Sequence, residues 1–184
     1  MKKILTDIPD VFIIQPDVFE DDRGFFKETY NIKKYMDLGI GKQFKQDNIS
    51  LSKKNVLRGL HYQVGAYAQG KLVQVLQGKV LDVAVDIRFK SPTFGKYVAV
   101  ELSAENHLQM WIPAGFAHGF VAFEDNTIFS YKCTNVYSKL HERCIRYDDE
   151  TLNIDWKINN PIVSQKDLEG KKFVDIEQDF IYKK

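Results

Sequence analysis

Residues 71–88 read KLVQVLQGKVLDVAVDIR, and the fold turns on how they are read. Apolar residues recur at period two, the pattern of strands with a buried face. Gln77, Gly78 and Lys79 mark the one break, so the stretch reads as a hairpin turning there. In the second arm Leu81, Val83, Val85 and Ile87 share one face, while Asp82, Ala84 and Asp86 share the other. One face is apolar and the other polar. In a small barrel a polar inward face makes a ligand cavity.

The same pattern continues outward. YVAVEL, QMWI, HGFVAF and TIFSYKCT are strand-like, and SPTFG, PAG and EDN between them carry turn chemistry. Many short strands at this spacing point to a β-sandwich or barrel. Helical signals are few. Asn31 is placed to cap NIKKYMDLG, with Ile32, Tyr35 and Met36 on one face and Gly39 as the stop. Ser164 starts a helical turn, SQKD. No repeat, low-complexity tract or linker interrupts the 184 residues, which read as one mainly β domain over 1–184.

Composition excludes several function classes. Lys and Arg total 26 against 25 Asp and Glu, a net charge of +1, so no global basic field marks a nucleic-acid partner. Recognition of an anion must be local. The two cysteines, Cys133 and Cys144, lie eleven residues apart, outside any CxxC pattern and short of a secreted disulfide framework. Asp7, Pro9 and Asp10 break the apolar start before a signal-peptide core forms. No run approaches the roughly 18 apolar residues of a membrane span. The expectation is a cytoplasmic protein without a membrane partner.

LRGLHYQ, residues 57–63, places Arg58 and His61 in an otherwise apolar strand. Taken alone, His61 reads as a satisfied core histidine and Arg58 as a surface arginine. WIPAGFAHGF supplies Pro113-x-Gly115-x-x-His118, which resembles the second histidine motif of the cupin barrels, with LRGLHYQ as the first. A metal-binding cupin offers two histidines and an acid in its first motif. Here Tyr62 and Gln63 follow His61, so the resemblance is to a metal-free cupin.

The ordered set of motifs narrows it further. DRGFFKE at 22–28, QDN at 46–48, VLRGLHYQ at 56–63 and QGKLVQVLQGKV at 69–80 are followed by PAGFAHGF at 113–120, YKCTNVY at 131–137 and IDW…PIVSQKD at 154–167. In this order and spacing they resemble the dTDP-4-dehydrorhamnose 3,5-epimerases, from about residue 10 to 167. The resemblance implies a cupin-type jelly-roll barrel with a few short helices. It implies proton transfer at carbons flanking a ketone of a dTDP-sugar, no metal or nicotinamide cofactor, and a homodimer.

Residue by residue it implies His61 as base and Asp167 as the carboxylate on its other nitrogen. Ser164-x-x-Asp167 also fits a capping box. It implies Lys71 as the cation facing the ketone oxygen, where one solvated lysine among many is the plain reading. Asp82, by face parity, is placed to hold Lys71. Tyr131 is implied as the acid and Tyr137 as a stacking partner of thymine. Without the resemblance, both are half-buried sheet tyrosines.

Arg23 and Arg58 are implied for the diphosphate, and salt-bridge partners otherwise. His118, Glu28, Gln46, Asn48, Glu142 and Lys166 are implied as substrate contacts, and Phe19 and Phe26 as lining that core packing explains equally well. Early strands are expected to pack on the neighbouring copy, taking Arg23 and Phe26 into its site. Strict alternation puts Arg58 and His61 on opposite faces, so both enter one pocket only if the strand twists or bulges near Gly59. The rival readings are a single-position epimerase of another nucleotide-linked 4-keto sugar, a non-catalytic nucleotide-sugar-binding cupin, and a metal-dependent cupin.

Overall fold

The computed structural model describes residues 1–41 and 43–183. The elements, in chain order, are β1 (Lys2–Leu5), β2 (Phe12–Gln15), β3 (Val18–Asp21), β4 (Gly24–Lys27), α1 (Ile32–Asp37), β5 (Gln46–Ser52), β6 (Leu57–Gln63), β7 (Lys71–Gln77), β8 (Lys79–Asp86), β9 (Tyr97–Ser103), β10 (Gln109–Ile112), β11 (Phe116–Ala122), β12 (Thr127–Cys133), β13 (Glu142–Cys144) and α2 (Gln165–Leu168). Two sheets carry the fold. One runs β1-β2-β10-β7-β12-β5 and the other β13-β6-β11-β8-β9, with antiparallel neighbours. The mainly β, jelly-roll expectation holds, down to the two short helices.

The stretch 71–88 is not a hairpin. β7 pairs with β10 and β12, whereas β8 pairs with β11 and β9, in the other sheet. Only Gly78 separates the two strands. One residue is too short for a paired hairpin, whose shortest common loop has two. The chain instead crosses between sheets at Gly78, where φ is +78° and an added Cβ would lie 2.5 Å from Thr127 Oγ1. Period-two alternation is the same for hairpin arms and for strands of opposed sheets, so it could not separate them.

The crossing fixes which face of β8 looks inward. Val80 and Ala84 join Val73, Val75, Met110, Ile112, Phe120 and Phe129 between the sheets. Asp82 has the same parity. Leu81, Val83, Val85 and Ile87 face the other way and are buried under Leu152, Trp156, Phe173 and Ile176 of the C-terminal segment. Full burial of each such side chain contributes roughly 1.5–3 kcal/mol, so the C-terminal segment is bound by ordinary core packing. The polar side of the alternation thus faces the interior, as the sequence predicts.

Asn31 caps α1, its Oδ1 accepting from the N–H groups of Lys33 at 3.1 Å and Lys34 at 3.4 Å. Of the predicted apolar face only Tyr35 is buried, against Phe12, Ile14, Leu72 and Trp111. Ile32 and Met36 are exposed. A six-residue helix lying on a sheet can turn only a narrow stripe toward it. β3 and β4 pair only with each other among the described strands, and they leave Phe19, Phe25 and Phe26 exposed. No helix among the described residues is long and apolar enough to cross a membrane.

Candidate active site

A bulge in β6 makes the site possible. His61 lies opposite His118 of β11 and Arg58 lies opposite Phe120, so three steps on β6 match two on β11. The extra residue reverses the alternation. Arg58 and His61 therefore both line one cavity of about 530 Å³ between the sheets. Gly59 has φ +133° here, and an added Cβ would meet the Cα of Gly119 at 2.5 Å. Two glycines face each other because the backbones come too close for anything else.

Asp167 reaches His61 from α2. Its Oδ1 lies 2.5 Å from His61 Nε2, and its side chain is 4% exposed against 28% for the histidine. Ser164 Oγ still caps the helix by accepting the Asp167 N–H at 3.2 Å. The two roles proposed for Ser164-x-x-Asp167 are compatible: the serine caps, and the carboxylate turns to His61. Burial pushes the Asp167 carboxyl up, but the His61 hydrogen bond and charge, with smaller help from the Gly59 N–H and Ser164, hold it below the ordinary value. Asp167 is thus an anion at neutral pH. It fixes the proton of a neutral His61 on Nε2 and leaves Nδ1 as the free base.

Lys71 opens β7, on the opposite sheet. Its Nζ lies 3.3 Å from His118 Nδ1 and 3.5 Å from the His61 carbonyl oxygen. Face parity placed Asp82 to hold Lys71, and the structure differs: the carboxylate pairs with His118 instead. Its Oδ1 lies 2.6 Å from His118 Nε2, so His118 stands between them. The chain reads Asp82–His118–Lys71, with a neutral His118 donating from Nε2 and accepting from the ammonium at Nδ1. Burial pushes the pKa of His118 down, against the pull of Asp82, and Lys71 lowers it further. Burial likewise lowers the pKa of Lys71, partly offset by anionic neighbours. Among the described residues Asp82 Oδ2 and Ser50 Oγ are buried without a hydrogen-bond partner, and Ser50 lines the cavity.

Tyr131 of β12 also lines the cavity, beside Lys71, whose Nζ lies 6.0 Å from its ring centre. Burial raises its phenol pKa, so it remains a proton donor at neutral pH. His61 on one sheet and Tyr131 on the other thus flank the same space. A carbon acid held there meets a base on one side, a donor on the other and a cation beside both.

A second lobe of about 250 Å³ shares His61, Lys71 and Tyr131 and continues over Gln46, Asn48, Tyr137 and Glu142. The Tyr137 N–H donates to Gln46 Oε1 at 2.7 Å, its hydroxyl to Glu142 Oε2 at 3.0 Å, and Gln46 Nε2 to Asn48 Oδ1 at 2.9 Å. Lys166 pairs with Glu142 at 2.5 Å. Arg58 is held by Ser52 Oγ at 3.2 Å and the Leu51 carbonyl at 3.3 Å.

Four predicted residues stand elsewhere. Phe19, Arg23 and Phe26 line a surface pocket on the β3–β4 hairpin, with Arg23 89% exposed and paired to Asp21. Glu28 binds Lys34 and Asn31. The fold does not bring these four to the cleft of their own chain. Ser50, Gln63 and Gln69, which the sequence analysis gives no site role, do line it. The only sequence signal for Ser50 is its parity with Gln46 and Asn48 on β5.

Comparison with known proteins agrees with this geometry. The family model for dTDP-4-dehydrorhamnose 3,5-epimerase matches residues 5–175. The enzyme of that name from Shigella flexneri is 56% identical, over 95% of this chain and 97% of its own. A Legionella pneumophila epimerase solved with dTDP-4-keto-L-rhamnose superposes with a TM-score of 0.96 at 48% identity, covering 100% of this chain and 99% of that one. A 3'-monoepimerase from Streptomyces bikiniensis, solved with dTDP-quinovose, has a TM-score of 0.87 at 27% identity, over 93% of this chain and 87% of its own. With the family model spanning most of its length, the chain belongs to the dTDP-4-dehydrorhamnose 3,5-epimerase family.

Proposed function

We propose that the cleft epimerises dTDP-4-dehydro-6-deoxy-D-glucose at C3 and C5, giving dTDP-4-dehydro-L-rhamnose for dTDP-L-rhamnose synthesis. The observation that carries this reading is the placement of His61 and Tyr131 on opposite sheets across one cavity, with Lys71 beside both. His61 Nδ1 takes the proton from the carbon next to the ketone. The C–H pair moves into the carbonyl and leaves an enolate at O4. The Lys71 ammonium faces that oxygen. Tyr131 returns a proton to the opposite face; His61 then releases its proton to solvent and the phenolate takes one back, which resets both groups.

The magnitudes require this division of labour. General base help supplies roughly 10²–10⁴-fold, and a positioned cation or donor at the developing oxyanion adds roughly 10²–10³-fold. Arg58 is placed for the diphosphate, and Gln46, Asn48, Tyr137, Glu142 and Lys166 for the nucleotide end. The higher identity to double epimerases than to the 3'-monoepimerase favours inversion at both carbons.

The same reading treats the chain as one domain, homodimeric and cytoplasmic. Its two free cysteines suit a reducing compartment. The hairpin with exposed Phe19 and Phe26 and the apolar Ile49 and Leu51 of edge strand β5 are surfaces that a second copy would cover. Arg23 and Phe26 would then enter the partner's cleft.

Incubation with the 4-keto sugar in deuterium oxide, followed by NMR, tests the chemistry. Deuterium is expected at C3 and C5, with rhamnose formed once a 4-ketoreductase is added. Deuterium at one carbon moves the protein to the single-epimerase branch. None at either, with nucleotide still bound, overturns the reading. In Tyr131→Phe, product formation is expected to fall further than deuterium wash-in.

A further inference from the structure

Cys144 is a polar neighbour of the His61–Asp167 pair that the proposed reaction leaves unused. β13 pairs with β6 so that Cys144 lies directly opposite His61. Its Sγ is 4.0 Å from Asp167 Oδ1, the same oxygen that lies 2.5 Å from His61 Nε2. One ligand atom from each of His61, Cys144 and Asp167 falls within 4.8 Å of the others. The histidine and cysteine are half-buried, and the aspartate is buried.

We infer that His61, Cys144 and Asp167 form a site for a thiophilic divalent cation of the zinc class, and that filling it switches the enzyme off. The donor set is imidazole nitrogen, thiolate sulfur and carboxylate oxygen, each an ordinary zinc ligand. Bonds of about 2.0–2.3 Å at tetrahedral angles require ligand atoms roughly 3.3–3.7 Å apart. The His61–Asp167 contact must open by about 1 Å, and the sulfur, 4.0 Å from Asp167 Oδ1, must close on that oxygen by roughly half as much. Three protein ligands leave a fourth position for water, the pattern of an open zinc site. Hard cations such as magnesium and calcium favour all-oxygen sets and have little to gain from a thiolate.

Inhibition follows from proton accounting. In the metal-free pair His61 carries its proton on Nε2 and offers a lone pair at Nδ1. A cation on Nε2 needs that lone pair, so the ring proton moves to Nδ1. Cys144 gives its thiol proton to solvent, and Asp167 turns from His61 to the cation. His61 then has no lone pair facing the sugar. This half of the inference rests on His61 being the base; the binding half does not.

The test uses the full chain, freed of metal by chelator dialysis and titrated with Cd²⁺ and Zn²⁺ without sugar. One Cd²⁺ per chain is expected, with an ultraviolet thiolate-to-cadmium band that Cys144→Ser removes. With sugar present, Zn²⁺ is expected to abolish turnover while equal Mg²⁺ or Ca²⁺ does not. Cys144→Ser should keep its uninhibited turnover within about twofold and raise the Zn²⁺ midpoint at least about tenfold. A band that persists in Cys144→Ser, or an unmoved midpoint, overturns the site. Stoichiometric Cd²⁺ binding with turnover intact overturns the inhibition and leaves the site standing. Should Cys144→Ser fail to fold, the wild-type chain still decides: Zn²⁺ should protect Cys144 from alkylation by N-ethylmaleimide, read by mass spectrometry, and unprotected alkylation overturns the site.

Discussion

His61 and His118 face each other across β6 and β11, and each gives its Nε2 to a carboxylate at nearly the same distance, 2.5 Å to Asp167 and 2.6 Å to Asp82. Beyond that first contact they differ. His61 is 28% exposed and its other nitrogen is free for the cavity. His118 is 6% exposed, and Lys71 occupies its other nitrogen. The same two-residue unit thus offers an open nitrogen to the cavity in one place and has both nitrogens engaged in the other. Exposure and the second partner, not the His–Asp contact itself, separate the roles.

Substitution should split the pairs in opposite directions. His61→Ala is expected to lower kcat by about 10³–10⁴-fold, or roughly 4–5.5 kcal/mol of barrier. Its cost in stability should stay near 1 kcal/mol, because the freed Asp167 keeps the Gly59 N–H and gains water through the open cleft. Turnover and denaturant unfolding on one preparation measure both. Normal turnover in His61→Ala would remove the histidine from the chemistry. His118→Ala inverts the profile. It leaves the Asp82 carboxylate, 0% exposed, without its donor, and a buried acceptor left unsatisfied costs roughly 1–3 kcal/mol, more when it is charged. Its kcat should fall only about tenfold, through the loosened Lys71. Equal rate losses in the two variants would dissolve the distinction.

The two pairs were unequally legible in the sequence. His61 and Asp167 are 106 residues apart, and their meeting was readable only because VLRGLHYQ and PIVSQKD match one family in order. Alternation alone puts Asp82 on the inward face of β8, where the structure has it. Its partner was not readable. Parity names a face, whereas the choice between Lys71 and His118 depends on which strands adjoin β8. The hairpin expectation at 71–88 had obscured that, because it made β7 the neighbour of β8 where β11 is. The bulge at Gly59 was demanded by the chemistry before it was seen: two polar groups three residues apart cannot share a face otherwise. The β3–β4 hairpin shows the other limit. Its motif is clear in DRGFFKE, yet one chain gives Arg23 no site to act in.

That limit yields a sharper test. Arg23→Ala and His61→Ala are each expected to lose most activity alone. Mixed and allowed to exchange subunits, they should recover roughly a quarter of wild-type turnover if Arg23 serves the partner's cleft. This follows from random pairing: half the dimers are mixed, with one intact site in two. No recovery would confine Arg23 to its own chain or to the surface.

Lys71 and His118 also set a pH signature. An ammonium that faces the enolate must stay charged, and burial lowers the pKa of Lys71. Turnover should therefore fall on the alkaline side before the ordinary lysine value of about 10.4. Lys71→Arg, a guanidinium that does not titrate there, should erase that limb while lowering the plateau. A limb that survives the substitution would belong to another group.

The smallest expected effect concerns stability. His118 has a lowered pKa in the folded protein, set by burial and opposed by Asp82, with the neighbouring Lys71 lowering it further. Below the ordinary histidine value of about 6.5 the unfolded chain binds a proton that the folded chain refuses. Its contribution is thus complete above that pH and shrinks as pH falls, by at most about 1.4 kcal/mol per unit for one proton. Asp167 and Asp86, whose folded pKa values are lowered, contribute above the ordinary carboxylate value and lose that contribution only below about 3.9. The two windows are separate, so urea unfolding between pH 7 and 5 reports the histidines, His118 together with the more exposed His107, whose pKa burial and Lys27 also lower. His118→Gln, which keeps a donor for Asp82 without titrating, should flatten that slope. An unchanged slope would mean that His118 takes up its proton as readily folded as unfolded, and the buried pair would then differ from the open one in position alone.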